Sequence, residues 1–384
     1  MKIMKDLHKV LLIVFFFFII TIIPVVSLLT MPREEFAFSE NENRYLARFP
    51  KFNYSSFEST DFMKSFEEWA NDRVFGRESW IRLKNNTEQL LGKLEINEVY
   101  ITDNRMLQTW NEYNEASVSR NLEAVNAFAA RYSDVPMFFM LVPTSVEIYR
   151  DSLPASAPIG SQREFIKRCY EAFTELTVVD VLTLMEEHRD RYIYYRTDHH
   201  WTAEGSYIAY TAAMNAMGFT PLEINRFNVE NASNSFLGTL HSKTLDNSIT
   251  PDIIKIYTLT ESDPDVLVTI NNGLSEAQYS SLYFRDYFDV KDKYSIYLSS
   301  PVPEVRIESD LTGMPRRLLV IKDSFAHSFV PFLAKSFTEI TMVDMRFINM
   351  HYSEIFNVSE FDAVLFIYNV ITFSEDTHLM KLGR

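Results

Sequence analysis

The sequence predicts an α/β fold: a parallel sheet flanked by helices, with a β-rich insertion and a transmembrane helix at the N-terminus. Three observations lead there. The stretches "VPMFFMLVP", "LTVVDVL", "RRLLVIKDS", "EITMVDMRF" and "DAVLFIYNV" are short runs that are apolar at nearly every position, as strands covered on both faces must be. Stretches of helical period fall between them, at 117–131, 161–176, 203–217 and 328–337, and strand–helix alternation is the mark of a layered α/β domain. Residues 221–312 differ: "DIIKIYTL", "DVLVTI", "SSLYF" and "YSIYLS" alternate or mix, punctuated by Asn, Asp, Ser and Gly, which reads as antiparallel strands. A chain of 384 residues, 47% of them hydrophobic, is long enough to bury a large core.

Taken in order, residues 1–32 are a cytoplasmic tip and a membrane anchor. "MKIMKDLHKV" carries three lysines, and "LLIVFFFFIITIIPVVSLLT" then runs to Thr30 without a charge. At helical rise that run spans roughly 30 Å, the depth of a bilayer's hydrocarbon. A secretory signal would be shorter and end in small residues, which "SLLTMP" lacks. Pro24 is tolerable in a membrane helix. The basic flank belongs on the cytoplasmic side, so the expectation is a single-pass protein of a bacterial cell membrane whose remainder lies outside, at the cell surface. Residues 33–92 form a polar tether, "REEFAFSENENRYLARFP", and then a helical segment. There Phe62, Phe66, Trp69 and Ala70 share one face, as do Trp80, Leu83 and Leu90. Residues 93–220 are the first part of the α/β domain, 221–312 the insertion, and 313–384 the second part of the domain.

Composition removes several functions. A net charge of −15 argues against nucleic acid, whose phosphates need clustered Lys and Arg. The single cysteine, Cys169, allows neither an intramolecular disulfide nor a cysteine-based zinc site, and reads as a small buried hydrophobe. No cofactor and no metal are expected.

Sites on open α/β sheets lie beyond the carboxyl ends of the strands. Four apolar runs end in polar residues: Thr144 and Ser145, Asp323 and Ser324, Asp344 with Arg346, and Asn369. "IYYRTDHHW" is read as a fifth strand of this kind. Ser324 falls between a strand and a helix, where its hydroxyl would project and the amides opening the helix could hold an oxyanion. It could equally serve only as the N-cap of that helix. A serine needs a base, and "TDHHW" offers one. In an extended segment Asp198 and His200 point the same way, His199 the other, so the acid could orient an imidazole that faces the serine. Two other readings stay open. The D-H-H string could bind a metal, although the remaining histidines are scattered. It could also be a polar loop, since Trp201, Thr202, Glu204 and Gly205 suit a helix start.

"YRTDHHWTAEGSYIAY" together with "IKDSFAHSFVPFLA" resembles the DHHW family of bacterial surface proteins. These are similar to the alginate O-acetylation proteins, a branch of the SGNH-hydrolase superfamily. "SENENRYLARFP", "LVPTSVEIYRDSLP", "SFLGTLHSKT" and "VDMRF" also match, and the resemblance covers most of residues 37–375. It implies an SGNH-like sheet, a Ser324 nucleophile, a His200 base and an Asp198 orienter, with His199 structural or lining the pocket. The chain departs from the pattern in carrying Lys322 where a glycine usually precedes the D-S pair. The resemblance also implies substrate contact by Arg346, which could instead pair with Asp344, and an oxyanion contact from Asn369. His241 and Lys243 could reach the pocket from the insertion but read rather as solvated turn residues, and Tyr149 as a packing residue.

The expected activity is that of a membrane-anchored O-acetyltransferase. It would act on an envelope or secreted polysaccharide through an acyl-serine, with a membrane-bound O-acyltransferase as the partner that supplies the acyl group. Two alternatives use the same features: a carbohydrate O-acetyl esterase with the same triad, and a non-catalytic glycan-binding or assembly partner of a membrane acyltransferase.

Overall fold

The computed structural model describes all residues but 1, 33, 35, 36, 40, 41, 43, 53, 112, 300, 313–315 and 384, and only the backbone of 2–7, 56 and 58. Six of the eighteen residues of the predicted tether lie outside what is described, as do the side chains of Lys2 and Lys5 of the basic flank. The chain divides into two compact units, residues 1–96 with 242–247, and residues 97–241 with 248–384.

In the first unit α1 (Lys2–Thr30) is one long helix running through Pro24. Its stretch His8–Thr30 has a mean hydropathy of 3.1 and is long and apolar enough to cross a membrane. A two-residue ladder follows, β1 (Phe38–Ser39) against β2 (Arg44–Tyr45), then α2 (Tyr54–Glu58), α3 (Asp61–Asp72), α4 (Arg77–Leu90) and β3 (Glu95–Ile96). Arg44 anchors the segment after the ladder: its Nη1 donates to Asp72 Oδ2 at 2.9 Å, and the same oxygen accepts the Ala47 N–H at 2.7 Å.

The second unit opens on a small hairpin, β4 (Val99–Ile101) against β5 (Met106–Gln108). Helix α5 (Glu115–Arg131) begins where Asn114 accepts the Ser117 N–H, and leads to β6 (Met137–Val142), which is wholly buried. After α6 (Ser145–Ile148), α7 (Gln162–Ala172) starts at a capping box, Ser161 accepting the Glu164 N–H. Then come β7 (Thr177–Val178), α8 (Leu182–Glu187), α9 (Ala203–Ala216), β8 (Phe227–Phe236), α10 (Thr239–Thr244), β9 (Asp252–Leu259), β10 (Val266–Asn271), β11 (Glu276–Tyr279) and β12 (Glu304–Ser309). The chain closes with β13 (Arg317–Lys322), α11 (Ala326–Leu333), β14 (Glu339–Val343), β15 (Ala363–Asn369) and α12 (Val370–Glu375).

One eight-stranded sheet, ordered β11-β10-β12-β14-β13-β15-β6-β7, organises the unit. From β14 to β7 neighbours run parallel; β12, β10 and β11 add antiparallel partners along the β14 edge. Part of the predicted insertion thus continues the central sheet, and only the β8–β9 ribbon stands as a separate ladder. The expected parallel sheet is therefore mixed. The central strands read "LLVI" and "VLFI" without a polar position because both faces are covered. "LTVVDVL" forms only two residues of edge strand, being largely exposed there. "IYYRTDHHW" is not a sheet strand: Tyr194 and Trp201 make an isolated antiparallel bridge that closes a loop.

Candidate active site

The serine is positioned by the turn after β13. The Asp323 carboxylate accepts the Phe325 N–H at 2.9 Å, and its other oxygen accepts the Asn369 N–H at 2.7 Å and Asn369 Nδ2–H at 2.6 Å. This buried acid ties the end of β13 to the end of β15 and turns the chain so that Ser324 projects from the sheet edge. Burial pushes the Asp323 pKa up, opposed by Arg346 and by the amides it accepts.

The imidazole that faces the serine comes from the loop between Tyr194 and Trp201. The Tyr195 N–H donates to His200 O at 3.2 Å and the Thr202 N–H to Ile193 O at 2.9 Å, closing the loop at its neck. Its interior is tied down by Asp252, the first residue of β9. That carboxylate accepts the Arg196 N–H (2.8 Å), the Thr197 N–H (2.8 Å), Thr197 Oγ–H (2.6 Å) and the Tyr192 hydroxyl. From the other side the Leu240 and His241 amides at the start of α10 both donate to Thr197 O at 3.0 Å. Trp201 Nε1 then donates to Phe325 O at 3.0 Å, bonding the loop directly to the serine turn.

These supports bring together three residues drawn from positions far apart in the chain. His200 Nε2 lies 2.7 Å from Ser324 Oγ, and His200 Nδ1 lies 2.6 Å from Asp198 Oδ1. The second Asp198 oxygen accepts the Thr239 N–H at 2.8 Å and its hydroxyl at 3.1 Å. Burial alone would raise the Asp198 pKa. The charges of His199 and His200, the His200 hydrogen bond and the Thr239 amide outweigh it and hold the carboxyl well below the ordinary range. An ionised acid on Nδ1 sets the tautomer, so Nε2 faces the hydroxyl as an acceptor. Tyr294 completes the arrangement. Its ring stacks on the His200 imidazole at 3.8 Å and 8°. Its hydroxyl donates to Ser324 O at 3.2 Å and lies 3.1 Å from Ser328 Oγ.

The other predicted residues fall as follows. His199 does not point away, because its backbone is not extended: the ring lies 3.8 Å from that of His200, and Nδ1 is 2.6 Å from Thr239 Oγ1. Arg346 forms a two-bond ion pair with Asp344, at 2.9 and 2.7 Å. Asn369 caps α12 through the Thr372 N–H, and both its amide hydrogens are taken, by Asp323 and by Thr372 Oγ1 at 2.8 Å. It clamps the serine turn and presents no open donor for an oxyanion. The Phe325 N–H is likewise taken by Asp323, whereas among the described residues the Ser324 N–H meets no protein acceptor. Lys322 is buried with its ammonium 2.7 Å from His327 Nε2 and 3.6 Å from Asp344 Oδ2, linking β13, β14 and α11 beneath the turn. His241 is buried rather than solvated. Tyr149 is buried under the Arg105 guanidinium.

Asp198, His199 and His200 present ligand atoms within 4.8 Å of one another, the geometry a cation would need. Both His200 nitrogens already face Asp198 and Ser324, so a cation bound through His200 would have to displace one of them.

Four residues of the site were not legible beforehand. Asp252 and Tyr294 sit in the insertion, and no local pattern aims them at the loop. Gly238 and Thr239 belong to "SFLGTLHSKT", a quoted motif with no assigned role. A Cβ on Gly238 would stand 2.3 Å from both Cβ and Oδ2 of Asp198, so the backbone can approach the carboxylate only as glycine.

Comparison with known proteins follows this geometry. The structure of a DHHW family protein from Eubacterium siraeum is 24% identical, with a TM-score of 0.65 over 75% of this chain and 95% of that one. Bacillus cereus PatB1 is 20% identical, with a TM-score of 0.63 over 73% and 98% of the two chains. PatB1 carrying a sulfonyl adduct gives 19% identity and 0.63 over 74% and 99%. At these identities the likeness is one of fold. No curated protein sequence matches the chain. A family model described as DHHW protein matches residues 95–343, well over half the chain and the whole stretch from the first hairpin to the end of β14. The Asp-His-His-Trp string that supplies the Asp198 carboxylate, the His200 imidazole and the Trp201 bond to the serine turn lies inside that match, and the chain belongs to the DHHW protein family.

Proposed function

We propose that the protein is a membrane-anchored, extracytoplasmic O-acetyltransferase of SGNH type that acetylates an envelope or secreted polysaccharide through an acyl-serine. The observation that carries this reading is the unbroken hydrogen-bonded series Asp198–His200–Ser324, at 2.6 and 2.7 Å. As Ser324 Oγ attacks an acetyl donor, its proton passes to His200 Nε2. The imidazolium, held by Asp198 and covered by Tyr294, then protonates the departing donor group. A sugar hydroxyl next attacks the acetyl-serine, giving its proton to His200, and Ser324 leaves with that proton to regenerate the free hydroxyl. The Ser324 N–H supplies an oxyanion contact, with Asp323 and Asn369 holding the turn rigid.

The resemblance to the alginate O-acetylation proteins supports acetyl as the acyl group, a polysaccharide as acceptor and a membrane-bound O-acyltransferase as donor. PatB1 has been solved with a sulfonyl adduct, and sulfonyl reagents mark activated nucleophiles, which supports the same chemistry for Ser324. The helix over His8–Thr30 and its lysine-bearing flank support the anchor and the outward orientation.

The test is made on the full chain in lipid vesicles with p-nitrophenyl acetate as donor. Acetyl-Ser324 should be trapped by mass spectrometry and vanish in Ser324→Ala and His200→Ala. Added glycan oligomers should gain the acetyl group faster than water takes it. Release to water alone would make the protein an esterase, and glycan binding without acylation would make it an assembly partner.

A further inference from the structure

Helix α3 is amphipathic, and among the described residues its apolar face is only partly covered. Phe62, Met63, Phe66, Trp69 and Ala70 line one side, followed by Val74 beyond the helix; Lys64, Ser65, Glu67, Glu68 and Asn71 line the other. None of its residues is buried. Phe49 and Phe52 join the same face, with ring centroids 4.9 Å apart for Phe49–Trp69 and 5.4 Å for Phe52–Phe62. Even within this cluster Phe49 is 58% exposed, Phe52 67% and Met63 53%. A soluble helix with such a face buries it against a core.

Where that face sits is informative. The Phe75 N–H donates to Ser27 Oγ at 2.8 Å, so the chain leaving α3 meets α1 one turn inside its apolar end. Between them lies an apolar groove of about 290 Å³ lined chiefly by Ile23, Pro24, Leu28, Phe66, Trp69 and Val74. Ile23 is seven residues before Thr30, or ~10 Å deeper at 1.5 Å per residue. The groove therefore opens at a depth where the proposed anchor is surrounded by hydrocarbon. Arg73 lies at its rim, its guanidinium 5.2 Å from the Trp69 ring and bonded to Ala47 O at 2.6 Å. Aromatic rings with a cation beside them suit the boundary between acyl chains and headgroups.

We propose that α3 lies in the plane of the membrane interface, its aromatic face dipping toward the acyl chains, and that the groove against α1 holds a lipid acyl chain. The inference rests on the anchor reading of α1 and adds a second membrane contact to it. Continuity selects lipid as the occupant: the wall formed by Ile23, Pro24 and Leu28 belongs to the same helix surface that lipid covers above and below.

The full chain provides its own probe. Trp69 and Trp80 belong to this unit, while Trp110 and Trp201 are 5% and 0% exposed in the other and serve as unquenched references. In phosphatidylethanolamine–phosphatidylglycerol vesicles, lipids brominated on the acyl chains should quench about half of the exposed tryptophan emission, as expected for rings at acyl-chain depth. Trp69→Phe should remove most of that quenching, and Phe62→Ser/Phe66→Ser should abolish it without changing the helical circular dichroism. If the chain floats with vesicles and resists carbonate extraction yet emits equally in brominated and plain lipid, the anchor stands and the interfacial helix is overturned. If carbonate strips the chain from the vesicles, the anchor fails and this inference fails with it.

Discussion

At the scale of single residues, the proposed reaction separates groups that would react from groups that hold. Asp198→Asn preserves volume but offers His200 Nδ1 a different partner and the wrong tautomer. Acetyl transfer should fall by on the order of 10⁴ in kcat. Tyr294 is a positioning residue. Its stack fixes the imidazole plane, and a ring face beside the transient imidazolium favours that charge. Tyr294→Phe keeps the stack and should lose little activity. Tyr294→Leu should lower kcat about tenfold, the equivalent of ~1.4 kcal/mol, and move the acidic limb of the pH–rate profile, where the base is lost by protonation, while leaving KM alone. A shift in KM without a shift in the profile would reduce Tyr294 to a packing residue.

At the scale of elements, the site is the meeting of a loop, a turn and a short helix, each held by a buried polar group. Gly238→Ala should disrupt catalysis although Gly238 touches no substrate, because its methyl group would collide with the Asp198 carboxylate. Acylation measured by trapping should drop at least as far as in Asp198→Asn, and an active Gly238→Ala would show that the loop can yield. Trp201→Phe preserves the contacts with Phe325 and Phe329 but leaves Phe325 O without its indole donor. A loss of ~0.5–1.5 kcal/mol in urea unfolding is expected for that one hydrogen bond, since Phe325 O at the start of α11 keeps its helical donor.

At the scale of the molecule, stability should depend on pH through a group outside the reaction. His327 is fully buried, and burial together with the neighbouring Lys322 ammonium holds its pKa well below the ordinary value. Its Nδ1 lies 3.1 Å from Tyr297 O and Ser299 O, to which it donates as the neutral ring, leaving Nε2 to accept from Lys322. The unfolded chain binds a proton near pH 6.5 that the folded chain refuses. This contribution is full above that value and is lost as pH falls below it, at up to ~1.4 kcal/mol per pH unit. The carboxyls of Asp252, Asp292 and Asp323, raised by burial, act with the opposite sign, so the diagnostic quantity is the difference from His327→Gln. That variant should unfold with a flatter dependence between pH 7 and pH 5, and an identical slope would refute the role assigned to His327.

Much of this was legible along the chain. Uninterrupted apolar runs gave away the buried strands, because a strand covered on both faces tolerates no polar position, and a charge-free stretch of bilayer length marked a helix long and apolar enough to cross a membrane. Asp198, His200 and Ser324 were legible as candidates, since few residue types can form such a series. Their meeting rested on the family resemblance rather than on the residues alone, and the conformation of the loop was not legible. An extended reading sent His199 away from His200, whereas hydrogen bonds from Asp252, Gly238 and α10, all distant in sequence, bend the backbone and lay the two rings together. The partner of Asn369 escaped for the same reason, and the Asp344 partner of Arg346 stood only as one of two readings: a side chain at a strand end has several possible neighbours, and only the packing of adjacent strands selects one. Local sequence determined which segments are buried and which groups are reactive, because burial and reactivity follow from residue type and period. The tertiary structure decided which of those groups face each other, because that depends on contacts that no single stretch contains.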